Sequence, residues 1–166
     1  VNNSLLSQSS EFYKNGLFRF LYGSILLIAV IVAFDHSPPE PWEGIAIVLV
    51  SLFGTGLADA YARTITHEIK MARVLSWSEV AANLAQSMWI LVPVVPVVLL
   101  FLFATAGMLD MTTSLRIAEV VLVSILFTAG FILRRRAGGS VLRSLVDGSF
   151  DAAIGLVIVS IRLLGI

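Results

Sequence analysis

The chain has 166 residues, 58% hydrophobic and 13% charged, with a mean hydropathy of +0.95. Ordinary globular domains carry about 25% charged residues, so the composition excludes a typical soluble domain and points to an integral membrane protein. The 11 basic and 11 acidic residues cancel to a formal net charge of +0, so the total says nothing about acidic partners and no nucleic-acid partner is expected, while the absence of cysteine excludes disulfide frames, zinc–thiolate sites and iron–sulfur clusters.

Residues 1–15 form a polar N-terminal segment, and the apolar run at 16–34 follows directly. That run is long for the apolar part of a signal peptide and no small-residue cleavage site follows it, so a retained first span is expected. A bilayer core of about 30 Å takes roughly 20 mostly apolar residues as helix. Four further runs have about that length, near 43–61, 84–107, 115–133 and 146–165. They are too long and too continuously apolar for barrel strands. The expected fold class is therefore all-α: a polytopic protein with a single five-helix transmembrane domain over 16–166.

The second run, "GIAIVLVSLFG", passes without a proline into "LADAYARTITHEIKMAR". Its helix is expected to continue to 73, so that its last turns project roughly 10–15 Å beyond the hydrocarbon. "SWSE" at 76–79 fits a capping box between Ser76 and Glu79, which starts the third helix at Trp77 after a turn at "VLS". Pro93 and Pro96 lie inside this helix, expected over 77–107, and should kink it. The last helix is expected over 144–165. Gly54 with Ala58, and Gly148 with Ala152, have the small-xxx-small spacing that lets helices approach closely, within one subunit or between two.

Basic residues sort the connections. Lys14 and Arg19 flank the start of the first span, Arg63, Lys70 and Arg73 follow the second, and Arg134, Arg135, Arg136 and Arg143 join the last two. The alternate connections hold Asp35, Glu40 and Glu43, then Asp110 with Arg116 just beyond. The positive-inside rule places the N terminus in the cytoplasm and the C terminus outside. The arginine run at 134–136 is an orientation signal that also suits anionic lipid, and Trp42, Trp77 and Trp89 fall near the expected interfaces. Arginine dominates over lysine, a bias common in GC-rich bacterial genomes, so a bacterial inner (plasma) membrane is the expected location.

Ionisable residues inside a membrane are expensive and usually face a bundle interior or a cavity. At 100° per residue Asp59 shares a helix stripe with Thr55, Arg63, Thr66 and Lys70, and His67 lies to one side. Asp147 and Asp151 sit one turn apart in the last span, with Arg143 a turn earlier, and Asn83, Gln86 and Ser87 lie at the cytoplasmic end of the third. The functional reading is a cytoplasm-facing polar vestibule in which Asp59, Asp147 and Asp151 bind a cation or exchange protons, supported by Arg63, His67, Asn83, Gln86 and Arg143. The bland alternative pairs Asp59 with Arg63 and Asp147 with Arg143 at i,i+4. Asp151 resists it, because Arg162 is three turns away. His67 and His36 read more simply as interfacial and loop residues, and Glu119 with Arg116 as an outer-end pair.

The closing stretch "SVLRSLVDGSFDAAIGLVIVSIRLLG", with Gly148, Ala152, Ala153 and the run from Leu163 to Gly165, and the extended second helix resemble the vacuolar iron transporter family. The resemblance implies five helices in this orientation, a dimer, and exchange of a divalent metal for protons. Where that family has an acidic residue beside a glycine in its first helix, this chain has Tyr22, Gly23 and Ser24; between its second and third spans it has Glu68 and Glu79 in place of an acid-rich insert.

Two functions follow as expectations. One is a small homo-oligomeric transporter that moves a divalent cation or a proton. The other is a non-catalytic structural or accessory subunit of a larger membrane complex. No nucleophile elbow, His-Glu-x-x-His helix or phosphate loop is present to suggest an enzyme.

Overall fold

A computed structural model describes residues 2–34, 37–136 and 138–163, with side chains described from 16 to 160 within them. Asp35 and His36 fall outside the described residues, as do the side chains of Lys14 and Arg162. Among the described residues six α-helices follow in chain order: α1 (Asn2–Ala33), α2 (Pro41–Met71), α3 (Trp77–Ser87), α4 (Val94–Thr105), α5 (Met111–Arg136) and α6 (Val141–Leu163). A 3-10 turn, Met88–Leu91, links α3 to α4. No strand occurs among the described residues.

The helix boundaries have local causes. Pro41 occupies the first turn of α2, where its missing N–H costs nothing, and Glu40 and Glu43 form a capping box. At 31 residues, α2 is about 46 Å long against an apolar core of about 30 Å, so the expected extension is present. It stops at Ala72, which adopts a left-handed conformation (φ 52°) and returns its N–H to the carbonyl of Glu68. In the capping box that starts α3, Glu79 accepts from the Ser76 amide at 2.8 Å and hydroxyl at 2.9 Å, and from Arg73 Nη2 at 2.6 Å.

The third span differs from the continuous kinked helix expected over 77–107. It is two helices bent by 50° at a break. The amides of Val92 and Val95 close 3-10 bonds to Trp89 and Val92 across it, each 3.3 Å. Pro93 sits at the capping position of α4 and Pro96 in its first turn, positions whose N–H groups have no intrahelical partner anyway. Two prolines close together thus produce a break that neither has to distort a helix to accommodate.

α1, α2 and α5 are each long and apolar enough to cross a membrane, and the bent α3–α4 pair makes a fourth candidate span. The protein is membrane-embedded. The fifth expected span falls on α6, whose N-terminal half carries Arg143, Asp147 and Asp151 and which is not among the candidate spans found in the described residues.

The core is a contiguous cluster of Leu27, Ile28 and Ile31 from α1, Val48 and Leu52 from α2, Val97 and Phe101 from α4, and Leu122 and Leu126 from α5. Glycine sets two approaches. Gly23 lets α1 lie directly on the Ile90 carbonyl of the 3-10 turn, where a Cβ would overlap the oxygen. Gly148 lets α6 press on α5, since a Cβ there would stand 2.8 Å from the Phe127 carbonyl oxygen. The small-xxx-small pair on α6 is therefore used within the chain. Gly54 on α2 has nothing within 4 Å.

Candidate functional site

Asp59 lies where α1, α2 and the end of α3 converge. α3 gives way to the 3-10 turn at Met88, which leaves the Gln86 carbonyl near a helix C-terminus, and Arg19 of α1 fills that position: its Nη1 donates to Gln86 O at 3.0 Å. A guanidinium suits this end of a helix dipole. The same side chain donates from Nε to Asp59 Oδ2 at 3.0 Å. Arg63, one turn along α2, donates from Nε to both Asp59 oxygens at 3.1 and 2.9 Å, and Ser87 Oγ donates to Oδ2 at 2.6 Å. Arg19 is 2% exposed, whereas the side chains of Asp59 and Arg63 are 29% and 35% exposed.

The lone pairs of Asp59 are thus largely occupied by donors, and the cluster has two cations to one anion. That electrostatic environment repels a further cation. The pairing with Arg63 expected from i,i+4 spacing is present, and Gln86 joins through its backbone carbonyl and, at 3.4 Å, its side-chain oxygen. From its position in the sequence Arg19 reads only as an orientation charge at the start of the first span. A signal was available: Arg19 lies one turn from both Gly16 and Gly23, and glycines so spaced mark a helix face where a neighbour approaches closely.

Asp147 and Asp151 belong to a second cluster, on α6 against α5. For Asp147, the alternative to a cation or proton site is a pair with Arg143. Its ion pair is instead with Arg134 of α5, Nε to Oδ2 at 3.0 Å, while Arg143 points out and is exposed. Although the distance is that of a salt bridge, the Arg134 N–H is not aimed at Oδ2, and that buried atom receives no hydrogen bond. The ion pair across the α5–α6 crossing forms in place of the intrahelical one because both helices are in close contact there, through Gly130 and Gly148.

Asp151 packs its carboxylate on the α-carbon of Gly130, where a Cβ would collide with Oδ2. It faces a cleft of about 190 Å³ walled by Phe18, Leu21, Tyr22 and Ile25 of α1, Leu126 of α5 and Ile154 of α6. The Phe18 and Tyr22 rings lie parallel, with centroids 6.5 Å apart. Among the described residues Asp151 has no ion pair and no hydrogen bond.

The two clusters lie on different faces of α1: Arg19 meets Asp59, while Phe18 and Tyr22 face Asp151. The three aspartates therefore do not converge on one vestibule. His67 is half-buried and Asn83 keeps its Nδ2 buried without a hydrogen bond. Among the described residues no group of three or more His, Asp or Glu side chains comes together as metal ligands would. No protein-family model matches the chain, and no curated protein and no solved structure matches it.

Proposed function

We propose that the chain is a small homo-oligomeric transporter of a bacterial inner membrane, in which Asp151 takes up and releases a cation or a proton while Asp59 holds the bundle together. The observation that carries this reading is the Asp151 carboxylate, which lines a mostly apolar cleft and, among the described residues, has no hydrogen bond and no salt bridge, with Arg134 and Asp147 as its charged neighbours. A carboxylate that receives no hydrogen bond in such surroundings is disfavoured in its charged form, and a cation or a proton relieves that cost.

The topology in this reading has five spans, with α6 as the fifth, the N terminus cytoplasmic and the C terminus outside. It rests on Arg63, Lys70 and Arg73 after the second span and the arginines of 134–136 after the fourth. The resemblance to vacuolar iron transporters supports the five-span reading, and the long α2 is in keeping with it. The donor set suits a proton or a monovalent cation better than a hard divalent ion, which takes six or more oxygens, since Asp151 is the oxygen-bearing acid of its cleft. Self-association is assigned to the α2 face of Val50, Phe53, Gly54, Leu57 and Tyr61, where the open space at Gly54 leaves room for a second helix backbone.

A carbodiimide that modifies protonated carboxyls in apolar surroundings tests the reading. It should label Asp151, transported cation should protect it, and Asp59 should stay unlabelled. Equal labelling of both, or no labelling of Asp151, would overturn it.

The second reading, an accessory subunit, is favoured by one observation: the Arg19, Asp59, Arg63 and Ser87 network ties three helices together and has the form of a structural clamp. Under it, Asp151→Asn would alter assembly or stability alone.

A further inference from the structure

The bend between α3 and α4 opens a second cleft. Trp89 and Val92, at the bend, face Gly16, Leu17 and Phe20 of α1, and Arg136 from the last turn of α5 closes one side. The space is about 290 Å³. Gly16 is what admits the Trp89 indole, since a Cβ there would stand 3.3 Å from the ring. Apart from Arg136 and the indole N–H of Trp89 the walls are apolar, so the interior suits a hydrocarbon chain better than a polar solute.

The three arginines of 134–136 have different occupations. Arg134 is paired with Asp147 at 3.0 Å, and Arg135 Nη1 donates to the Gly139 carbonyl at 3.2 Å. Arg136 has neither ion pair nor hydrogen bond among the described residues. The one uncommitted guanidinium of the run is therefore the one beside the cleft. It stands at the end of α5, where a membrane helix meets the headgroup layer, while Leu17, Phe20 and Val92 belong to apolar segments.

We infer that this cleft binds an anionic phospholipid, with an acyl chain against Leu17, Phe20, Trp89 and Val92 and the headgroup phosphate on Arg136. Guanidinium groups bind phosphate oxygens in pairs, which fixes the headgroup at the cleft edge. A basic residue near an anionic surface supplies about 1 kcal/mol, which is about a fivefold preference over a zwitterionic lipid. The site is independent of what Asp151 carries.

Trp89 is a built-in reporter. A Trp42→Phe, Trp77→Phe protein retains it as the sole tryptophan, for reconstitution in phosphatidylcholine vesicles doped with bromo-acyl phosphatidylglycerol or bromo-acyl phosphatidylcholine. Phosphatidylglycerol should quench Trp89 at about fivefold lower mole fraction; Arg136→Gln should remove the difference and Arg135→Gln should keep it. Equal quenching by the two lipids overturns the proposal, as does a preference that survives Arg136→Gln. Quenching by neither lipid also overturns it, since another protein surface would then cover the cleft. If the single-tryptophan protein does not fold, native mass spectrometry of the unmodified chain and Arg136→Gln in an equimolar mixture of both lipids serves instead. Retained phosphatidylglycerol on the former and its loss on the latter are expected, and equal retention overturns the site.

Discussion

Arg19 Nε stands 3.0 Å from Asp59 Oδ2, which joins a 2% exposed guanidinium on α1 to a partly exposed carboxylate on α2. The pair explains how an apolar chain keeps a buried arginine. Asp59 neutralises it, and the Gln86 carbonyl takes up a further N–H. Removing either partner strands the other, and the cost depends on which remains.

Asp59→Asn should therefore be the most damaging change in the cluster, at about 3–5 kcal/mol, because it leaves Arg19 buried beside Arg63 with no counter-charge. Arg19→Met should cost about 3 kcal/mol, since Asp59 keeps Arg63. Arg63→Gln should cost about 1 kcal/mol or less, as expected for a partly exposed pair. Unfolding in mixed micelles by a denaturing detergent measures the order, and a loss at Arg63→Gln equal to that at Asp59→Asn would refute it.

Two glycines should respond in opposite ways. Gly23→Ala drives a methyl into the Ile90 carbonyl and should cost about 1–3 kcal/mol. Gly54 has open space around it, so Gly54→Leu should leave the fold within about 0.5 kcal/mol and weaken subunit association. Detergent unfolding together with cross-linking separates the two effects; normal association in Gly54→Leu would remove this face of α2 from the interface.

Ala72 closes α2 in a left-handed conformation (φ 52°) that costs an L-residue roughly 1–2 kcal/mol. Ala72→Gly should stabilise the hairpin by about 0.5–1 kcal/mol, net of the extra backbone freedom glycine has when unfolded. A lower unfolding midpoint in the variant would show that this conformation is not strained.

Asp110 sits ahead of α5 and accepts from the Thr113 hydroxyl at 2.7 Å and the Thr113 amide at 2.8 Å. Those two bonds, the hydroxyl first, hold its carboxyl below the ordinary value of 3.8. With the folded value depressed, the capping contribution is complete above the unfolded value and is lost as pH falls through the lower folded one. Carboxyl NMR should find Asp110 titrating below 3.8 and moving up in Thr113→Val. An ordinary value in the unmodified chain would contradict the capping role.

Much of the scaffold was legible because it follows from local rules. Helix period, the Ser76–Glu79 box and the unbroken run from Gly44 to Met71 all act within one segment. The bend at Pro93 was legible as a kink, but its 3-10 geometry depends on how the Val92 and Val95 amides reconnect across the break. The site was less legible because it is made between helices. Spacing found the Asp59–Arg63 pair, yet it could not reveal that Arg19 reaches the same carboxylate from 40 residues away. For the same reason spacing offered only Arg143 as the ion-pair alternative for Asp147, whereas the close α5–α6 crossing delivers Arg134.

The most direct test of the division of labour between the aspartates is cation and proton flux in proteoliposomes made from folded Asp151→Asn and Asp59→Asn proteins alongside the unmodified chain. The account predicts that Asp151→Asn abolishes flux in a protein of normal stability, while Asp59→Asn lowers stability and leaves flux per folded molecule. Undiminished flux in Asp151→Asn, or no flux in the unmodified chain for any cation or for protons, would contradict it.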